Sequence, residues 1–296
     1  MSKHRPDYYG RPVIKQPVWK TEIGWYFFSG GLGGAAATLA LVSRLAGRRG
    51  LARRATLVSA LALSASPPLL IKDLGRPKRF LYMFRVLRPT SPMSIGSWML
   101  GAAGTAAGAA AGSDLLDVAP VAGDTARTVA GLLGPAISTY TAVLISDTSV
   151  PVWHEARREL PLVFAAGSAA SAGAAVWLAA PADERGPARR LAIAGAAGEL
   201  VAAHRMESAL GELGEPYRRG RPGRYARAAR RALAGGAALM AAGRRRPMLG
   251  RMGAGLILAG TVCERFAILR AGNMSADDPR YTVDPQRERV AGRVTS

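Results

Sequence analysis

The sequence is poor in the residues that bind metals and close disulfides. It holds one cysteine, Cys263, and three histidines, His4, His154 and His204. One thiol closes no internal disulfide and cannot hold an iron–sulfur cluster, which takes about four cysteines. Only His204 falls within an apolar run, so two histidines for a haem inside a membrane are not at hand. No metal is therefore expected in this chain, and any redox centre has to be borrowed from another. Acids are scarce too: 20 Asp and Glu face 40 Lys and Arg, a net charge of +20. Such a charge suggests nucleic acid first. Here the bases sit in blocks between long uncharged runs, and no soluble basic domain is left over, so nucleic-acid binding is not expected. The first 22 residues are polar and contain proline, without an early apolar segment, so a cleavable signal peptide is not expected.

What is present is apolar length. The mean hydropathy of +0.09 is low for a polytopic membrane protein, but the 40 basic residues between the runs depress it. The distribution decides. Residues 23–43 carry no charge and are long enough to cross about 30 Å of hydrocarbon as a helix. Gly30, Gly31, Gly33 and Gly34 give that run a small-residue face for close packing. A basic turn, 44–54, precedes a second span at 55–71, which Pro67 and Pro68 should kink or break near its end. Further spans are read at 92–112, 128–146 and 160–180, with a mixed linker at 113–127. Three more follow at 188–206, 225–242 and 247–269, each near spanning length but carrying charge. The expected fold is an all-α integral membrane domain of eight transmembrane helices over residues 23–271. A polar arm (1–22) precedes it and a polar tail (272–296) follows.

The stretch 71–98, IKDLGRPKRFLYMFRVLRPTSPMSIGSW, stands out. It holds six bases (Lys72, Arg76, Lys78, Arg79, Arg85, Arg88), one acid (Asp73), three prolines and Gly75. Proline and glycine rule out one continuous helix, and a mere connector needs far less. It reads as a shaped loop at a membrane surface. Eight spans put both termini on one side with this loop, and 27 of the 40 Lys and Arg fall on that side. By the positive-inside bias, the termini are expected in the cytoplasm of a multi-pass cell-membrane protein.

DLGRPKRF followed by RPTSPMSIGSW resembles the signature loop of the NrfD/polysulfide reductase membrane-subunit family. GPAISTYTAVLISDTSVPVWHEARRELP (134–161) and ERFAILRAGNMSADDPRYTVDPQRER (264–289) are similar to the same family. The resemblance implies two four-helix bundles and no haem. It implies a bound quinone, usually menaquinone or menaquinol, near the face of a ferredoxin-like iron–sulfur subunit. That subunit connects the anchor to a molybdopterin enzyme of the formate dehydrogenase or polysulfide/thiosulfate reductase type. It also implies quinone contacts from the start of the first span, the end of the second and a tyrosine in the fourth. These regions hold Glu22 and Trp25, Asp73, and Tyr140. A polar-and-His pair found in one branch of the family is replaced here by Glu22 and Trp25.

The residue chemistry suits that role. Tyr140 can donate to a quinone carbonyl. Asp73, beside Lys72 and close to Arg76, can exchange a proton at the membrane edge, and His154 on a facing loop can take that role. Trp25 and Tyr26 can wall a flat slot, or serve only as interfacial belt residues. Glu199 lies mid-span, where an ionised carboxylate costs at least about 2.5 kcal/mol. It is expected to be protonated or paired with an arginine from a neighbouring helix. Glu199 can serve a proton path or a structural hydrogen bond inside the membrane. His204 and Glu207 continue the segment toward the terminus side. His204 lies five residues on, roughly 140° around the helix, so Glu199 and His204 need not form one line. Glu264 beside Arg265 reads as a local ion pair. The basic blocks 76–88 and 218–231 can dock an acidic iron–sulfur subunit or bind anionic lipid headgroups. The competing reading is an ion or solute transporter using Glu199 and Glu264, though no inverted repeat is evident.

Overall fold

An apolar run removed from water has to satisfy its own backbone, and the helix does so within one segment. The computed structural model describes residues 14–15, 17, 19–73, 79–244 and 246–284, and among them there is no strand. Eight of the described helices have 20 residues or more. They are α1 (Thr21–Leu45), α2 (Arg49–Asp73), α4 (Pro92–Leu116), α5 (Pro120–Ser146), α7 (Leu160–Ala179), α8 (Gly186–Leu210), α10 (Gly220–Ala242) and α11 (Pro247–Asp277). Short helices interrupt the series: α3 (Arg79–Tyr82), α6 (Pro151–Glu155), and α9 (Glu215–Arg218) behind a 3-10 turn at Gly211–Gly214.

Five of the long helices, α1, α2, α5, α7 and α11, are long and apolar enough to cross a membrane. The other three have the length but not the hydropathy. In α4 the apolar content is mostly alanine diluted by glycine and serine, α8 carries Arg189, Arg190, Glu199 and Arg205, and α10 begins on a run of arginines.

The helices exceed the spans read from hydropathy because charged residues at their ends are helical too. The 44–54 turn shrinks to 46–48, with Arg49–Arg54 forming the first turns of α2. The 113–127 linker shrinks to 117–119, since α4 runs to Leu116 and α5 starts at Pro120. Asp117 and Ala119 take left-handed backbone there, with φ of 53° and 46°, and the Ser113 hydroxyl donates to the Val118 carbonyl at 2.6 Å. Pro67 and Pro68 do not end α2, which continues to Asp73. A side-chain hydrogen bond between Ser66 and Ser29 of α1, 3.0 Å long, holds that part of α2 in place. α11 passes residue 271 and ends at Asp277.

α1 is the central helix. It packs on α2, α5, α7 and α11, and 67% of its most apolar window is buried against 28% for the peripheral α2. Its glycine stripe makes this possible. A Cβ on Gly33 would lie 2.7 Å from Leu63 of α2, and one on Gly34 2.7 Å from the Gly134 carbonyl of α5. α4 packs on α5 and α2. In the second half α7 packs on α8 and α11, and α10 on α11 and α8.

Candidate functional site

The starts of α1 and α7 and the ends of α2 and α5 meet at one end of the molecule. Two contacts close α1 against α2 there. The Lys20 backbone N–H donates to Asp73 Oδ1 at 3.0 Å, and Lys72 Nζ lies 2.9 Å from Glu22 Oε1. Lys72 is largely exposed, so the pair contributes little stability. Its value is positional, since it sets two carboxylates where the chain leaves the apolar layer.

Just below this closure runs a groove of about 490 Å³ between α1 and α2. Trp25, Phe28 and Leu32 wall it from α1, and Leu61, Ala65 and Leu69 from α2. Trp25 packs edge-on against Phe28 and against Phe266 of α11, with ring centroids 6.4 and 5.7 Å apart. The helical repeat orders the site. Glu22 stands three residues before Trp25, and Asp73 four after Leu69, so both carboxylates lie one turn beyond the apolar walls.

Tyr26 turns the other way. It is 5% exposed and packs in the core with Leu63 and Leu100, within electrostatic reach of Tyr140. Adjacent helical residues diverge by about 100°, so Trp25 and Tyr26 wall different spaces. Tyr140 fills the room left by Gly96 of α4, where a Cβ would fall inside the ring. Neither tyrosine hydroxyl hydrogen-bonds to a described residue. The structure thus places Glu22, Trp25 and Asp73 around the groove, and Tyr26 and Tyr140 behind α1.

His154 is exposed on α6, and its imidazole makes no hydrogen bond to a described residue. The anchor of that short helix is Trp153, fully buried, stacked on Trp19 with centroids 5.4 Å apart and donating from Nε1 to the Ile268 carbonyl at 2.9 Å. Arg76 lies outside the described residues, as does part of its loop. Phe80 and Phe84 beside it pack edge to face, and Phe84 packs on Trp98 of α4.

Glu199 is fully buried on α8, far along the chain from the groove residues. Thr261 of α11 donates to its Oε2 at 3.1 Å, and Arg265 Nη1 lies 3.8 Å from its Oε1. The expected arginine partner from a neighbouring helix is there. The expected local pair between Glu264 and Arg265 is not: the guanidinium reaches Glu199 and donates to the Phe164 carbonyl at 3.1 Å. Neighbours in sequence point apart around the helix, so Glu264 Oε1 has no hydrogen-bond partner. His204 is exposed and shares no surface with Glu199.

Hydropathy also hid an ionic clamp at the opposite end. Arg127 of α5 is 4% exposed and donates to Asp114 of α4 at 2.6 Å, to Thr56 of α2 at 3.0 Å, and to Asp124. Arg44 of α1 grips Asp124 with Nε 2.9 Å from Oδ1. The signal available in the sequence was the spacing of Asp124 and Arg127, three apart and helical once Pro120 starts the helix.

Residues 13–107 match the family model of polysulphide reductase, NrfD. That stretch contains α1, α2, the 71–98 loop and the start of α4, and so the whole α1–α2 groove. The family resemblance read from the loop is borne out over those residues. The family supplies membrane subunits of quinone-linked oxidoreductase complexes, and the apolar helices agree with a multi-pass membrane protein. No curated protein matches the chain.

Proposed function

Residues 13–107 are NrfD-family sequence, and from that premise we propose that the chain is the quinone-binding membrane anchor of a respiratory oxidoreductase complex. It exchanges electrons between menaquinone or menaquinol and a ferredoxin-like iron–sulfur partner subunit, which is linked in turn to a molybdopterin enzyme. All eight long helices cross the bilayer as two four-helix bundles, α1, α2, α4, α5 and α7, α8, α10, α11. The packing of α4 on α5 and of α10 on α11 supports this, because both less apolar helices cover a neighbour that is apolar enough to span. The termini lie in the cytoplasm, by the excess of Lys and Arg on their side.

The observation that carries the quinone reading is the α1–α2 groove: apolar walls, one indole face, and two carboxylates a turn beyond. A quinone is an amphiphile of that shape, with a flat ring and an isoprenoid tail. The residues present fit it. Trp25 would flank the ring, Leu61, Ala65 and Leu69 would take the tail, and Glu22 and Asp73 would face the ring oxygens. When bound, the quinone supplies the couple in which electrons and protons move together. The chain's own part is to hold the ring, exclude water along the groove and exchange protons at Asp73. One Asp73 oxygen accepts from the Lys20 amide, and the other, without a partner among the described residues, can make that exchange. The Tyr26 and Tyr140 hydroxyls, which hydrogen-bond to no described residue, lie behind α1 and make an alternative ring position.

The test is quinone-linked turnover by the intact complex. Trp25→Ala removes an aromatic wall worth about 1 kcal/mol, so KM for a soluble quinone analogue should rise about fivefold with kcat little changed. Asp73→Asn should lower kcat. Unchanged kinetics in both variants, with loss of turnover in Tyr140→Phe, would move the ring to the Tyr26–Tyr140 side and reject the groove.

A further inference from the structure

The described residues with buried, unpartnered polar atoms are not scattered. Apart from Thr141, they belong to α8, α9 and α11, and among them are Glu199 Oε1, Glu264 Oε1, Tyr217 OH and two nitrogens of Arg265. A buried polar atom without a partner costs roughly 1–3 kcal/mol, so such a group in one place calls for a function. None of it touches the α1–α2 groove.

The charges there can be balanced in only one way. Facing Glu264 are Glu199 and Glu207 of α8, Arg230 of α10, Arg265 and Cys263 of α11 itself, and Tyr217 of α9. From α7, the Phe164 carbonyl faces Arg265 and is already bonded to it. Glu199 takes Arg265 and the Thr261 hydroxyl. Glu207 takes Arg230, with Nη1 3.1 Å from its Oε2. Two guanidinium groups thus serve two carboxylates, and Glu264, 2% exposed, is left over. An isolated carboxylate in such a place is far too costly to keep its charge.

The site also has a direction. Glu264 and Glu199 are buried, Glu207 is 12% exposed and Arg230 39%, so exposure rises from the core of the second half toward its surface. Tyr217 is within electrostatic reach of both Glu264 and Glu207, and its buried hydroxyl is hydrogen-bonded to neither. Its burial holds the phenol well above its ordinary range, so it keeps a proton to donate. On the other side of Thr261 the buried packing is apolar, Ile257, Ala254, Leu233, Met240 and Trp177, and the charged groups that meet it there are guanidiniums, Arg189 on the Met240 carbonyl and Arg185 over the Trp177 ring.

We propose that Glu264 is a proton-holding residue that exchanges with solvent on the face carrying α9, through the Tyr217 hydroxyl and the Glu207 carboxylate, and is closed to the opposite face. In one exchange Tyr217 takes the Glu264 proton on its oxygen and gives its own proton to Glu207. Glu264 becomes a carboxylate, Glu207 becomes the acid beside Arg230, and Tyr217 is unchanged. Glu207 then returns the proton to water. The apolar layer above Thr261 makes this a one-sided reservoir and not a channel.

The test is infrared difference spectroscopy of the intact complex in lipid nanodiscs, with no quinone turnover, so its outcome is independent of the groove. The wild type should show the carbonyl band of a protonated carboxylic acid near neutral pH that shifts in deuterium oxide. Glu264→Gln should abolish the band, and Glu199→Gln, which frees Arg265 for Glu264, should weaken it. Should Glu264→Gln fail to assemble, Glu264→Asp retains the acid and must shift the band. Tyr217→Phe should slow deuterium uptake into that band at least tenfold. Absence of the band in the wild type, its survival in Glu264→Gln, or an unshifted band in Glu264→Asp would overturn the reservoir. An unchanged exchange rate in Tyr217→Phe would overturn the relay.

Discussion

Tyr140 shows how a single residue takes its role from its neighbour. A tyrosine in an apolar run is visible in the sequence, and its chemistry follows from its hydroxyl. What it faces is set by Gly96, on the preceding helix of the chain, whose missing Cβ leaves the space for the ring. Gly96→Ala should therefore act as overpacking, costing about 1–3 kcal/mol, and should push Tyr140 from its place. Tyr140→Leu in the same chain should recover most of that loss. Thermal unfolding of the purified protein in detergent measures both, and additive losses in the double variant would show that the contact does not matter. The candidate residues Glu22, Asp73 and Glu199 were legible for the same reason as Tyr140: a polar group in an apolar context stands out. Their partners were not. Trp25 and Tyr26 look like one pair in sequence and wall two spaces, and Glu264 looks paired with its neighbour and is not.

At the scale of the element, hydropathy found where helices are and missed where they begin and end. Residues 113–127 looked like a linker because Asp114, Asp117, Asp124 and Arg127 make them polar. Three of those four are helical, and their charges are satisfied by one another across α4 and α5. A hydropathy average cannot distinguish a solvated charge from a paired one. The clamp predicts a stability effect. Among the described residues, Arg127→Ala leaves Asp114 with the partly exposed Arg53, while Asp124 keeps Arg44. Removing one member of a buried pair costs roughly 3–5 kcal/mol. With Asp124 still paired and partly solvated, about 3 kcal/mol is expected. A lower unfolding midpoint in lipid nanodiscs for Arg127→Ala, with the Arg53→Ala midpoint near wild type, is the expected result. Equal midpoints would mean the clamp is solvated and adds nothing.

For the whole molecule the open quantity is how many helices cross. Five meet the requirement by composition, and α4, α8 and α10 do not. The bilayer is nonetheless a solvent only for what faces it. A helix whose Gly and Ala pack on a neighbour and whose arginines sit at one end needs little lipid-facing hydrophobicity to span. If all eight cross, the turns alternate in sidedness without exception. In a Cys263→Ser background, single cysteines at Gly47, Val118, Asp183 and Arg244 should react with a membrane-impermeant maleimide only from outside intact cells. Single cysteines at Thr148 and Gly211 should react only after lysis, with both termini on their side. The positions test the three less apolar helices one by one. Val118 separates α4 from α5, Asp183 and Gly211 flank α8, and Arg244 separates α10 from α11. If α8 did not cross, Asp183 and Gly211 would label together. If α10 did not, Arg244 would join Gly211. A full inversion of the pattern would leave eight spans standing and reverse the compartment, placing Glu22, Asp73 and the Glu207 end of the proton site outside the cell. Sidedness is thus the one property of the whole molecule on which both sites depend, because each opens toward the face that carries the termini.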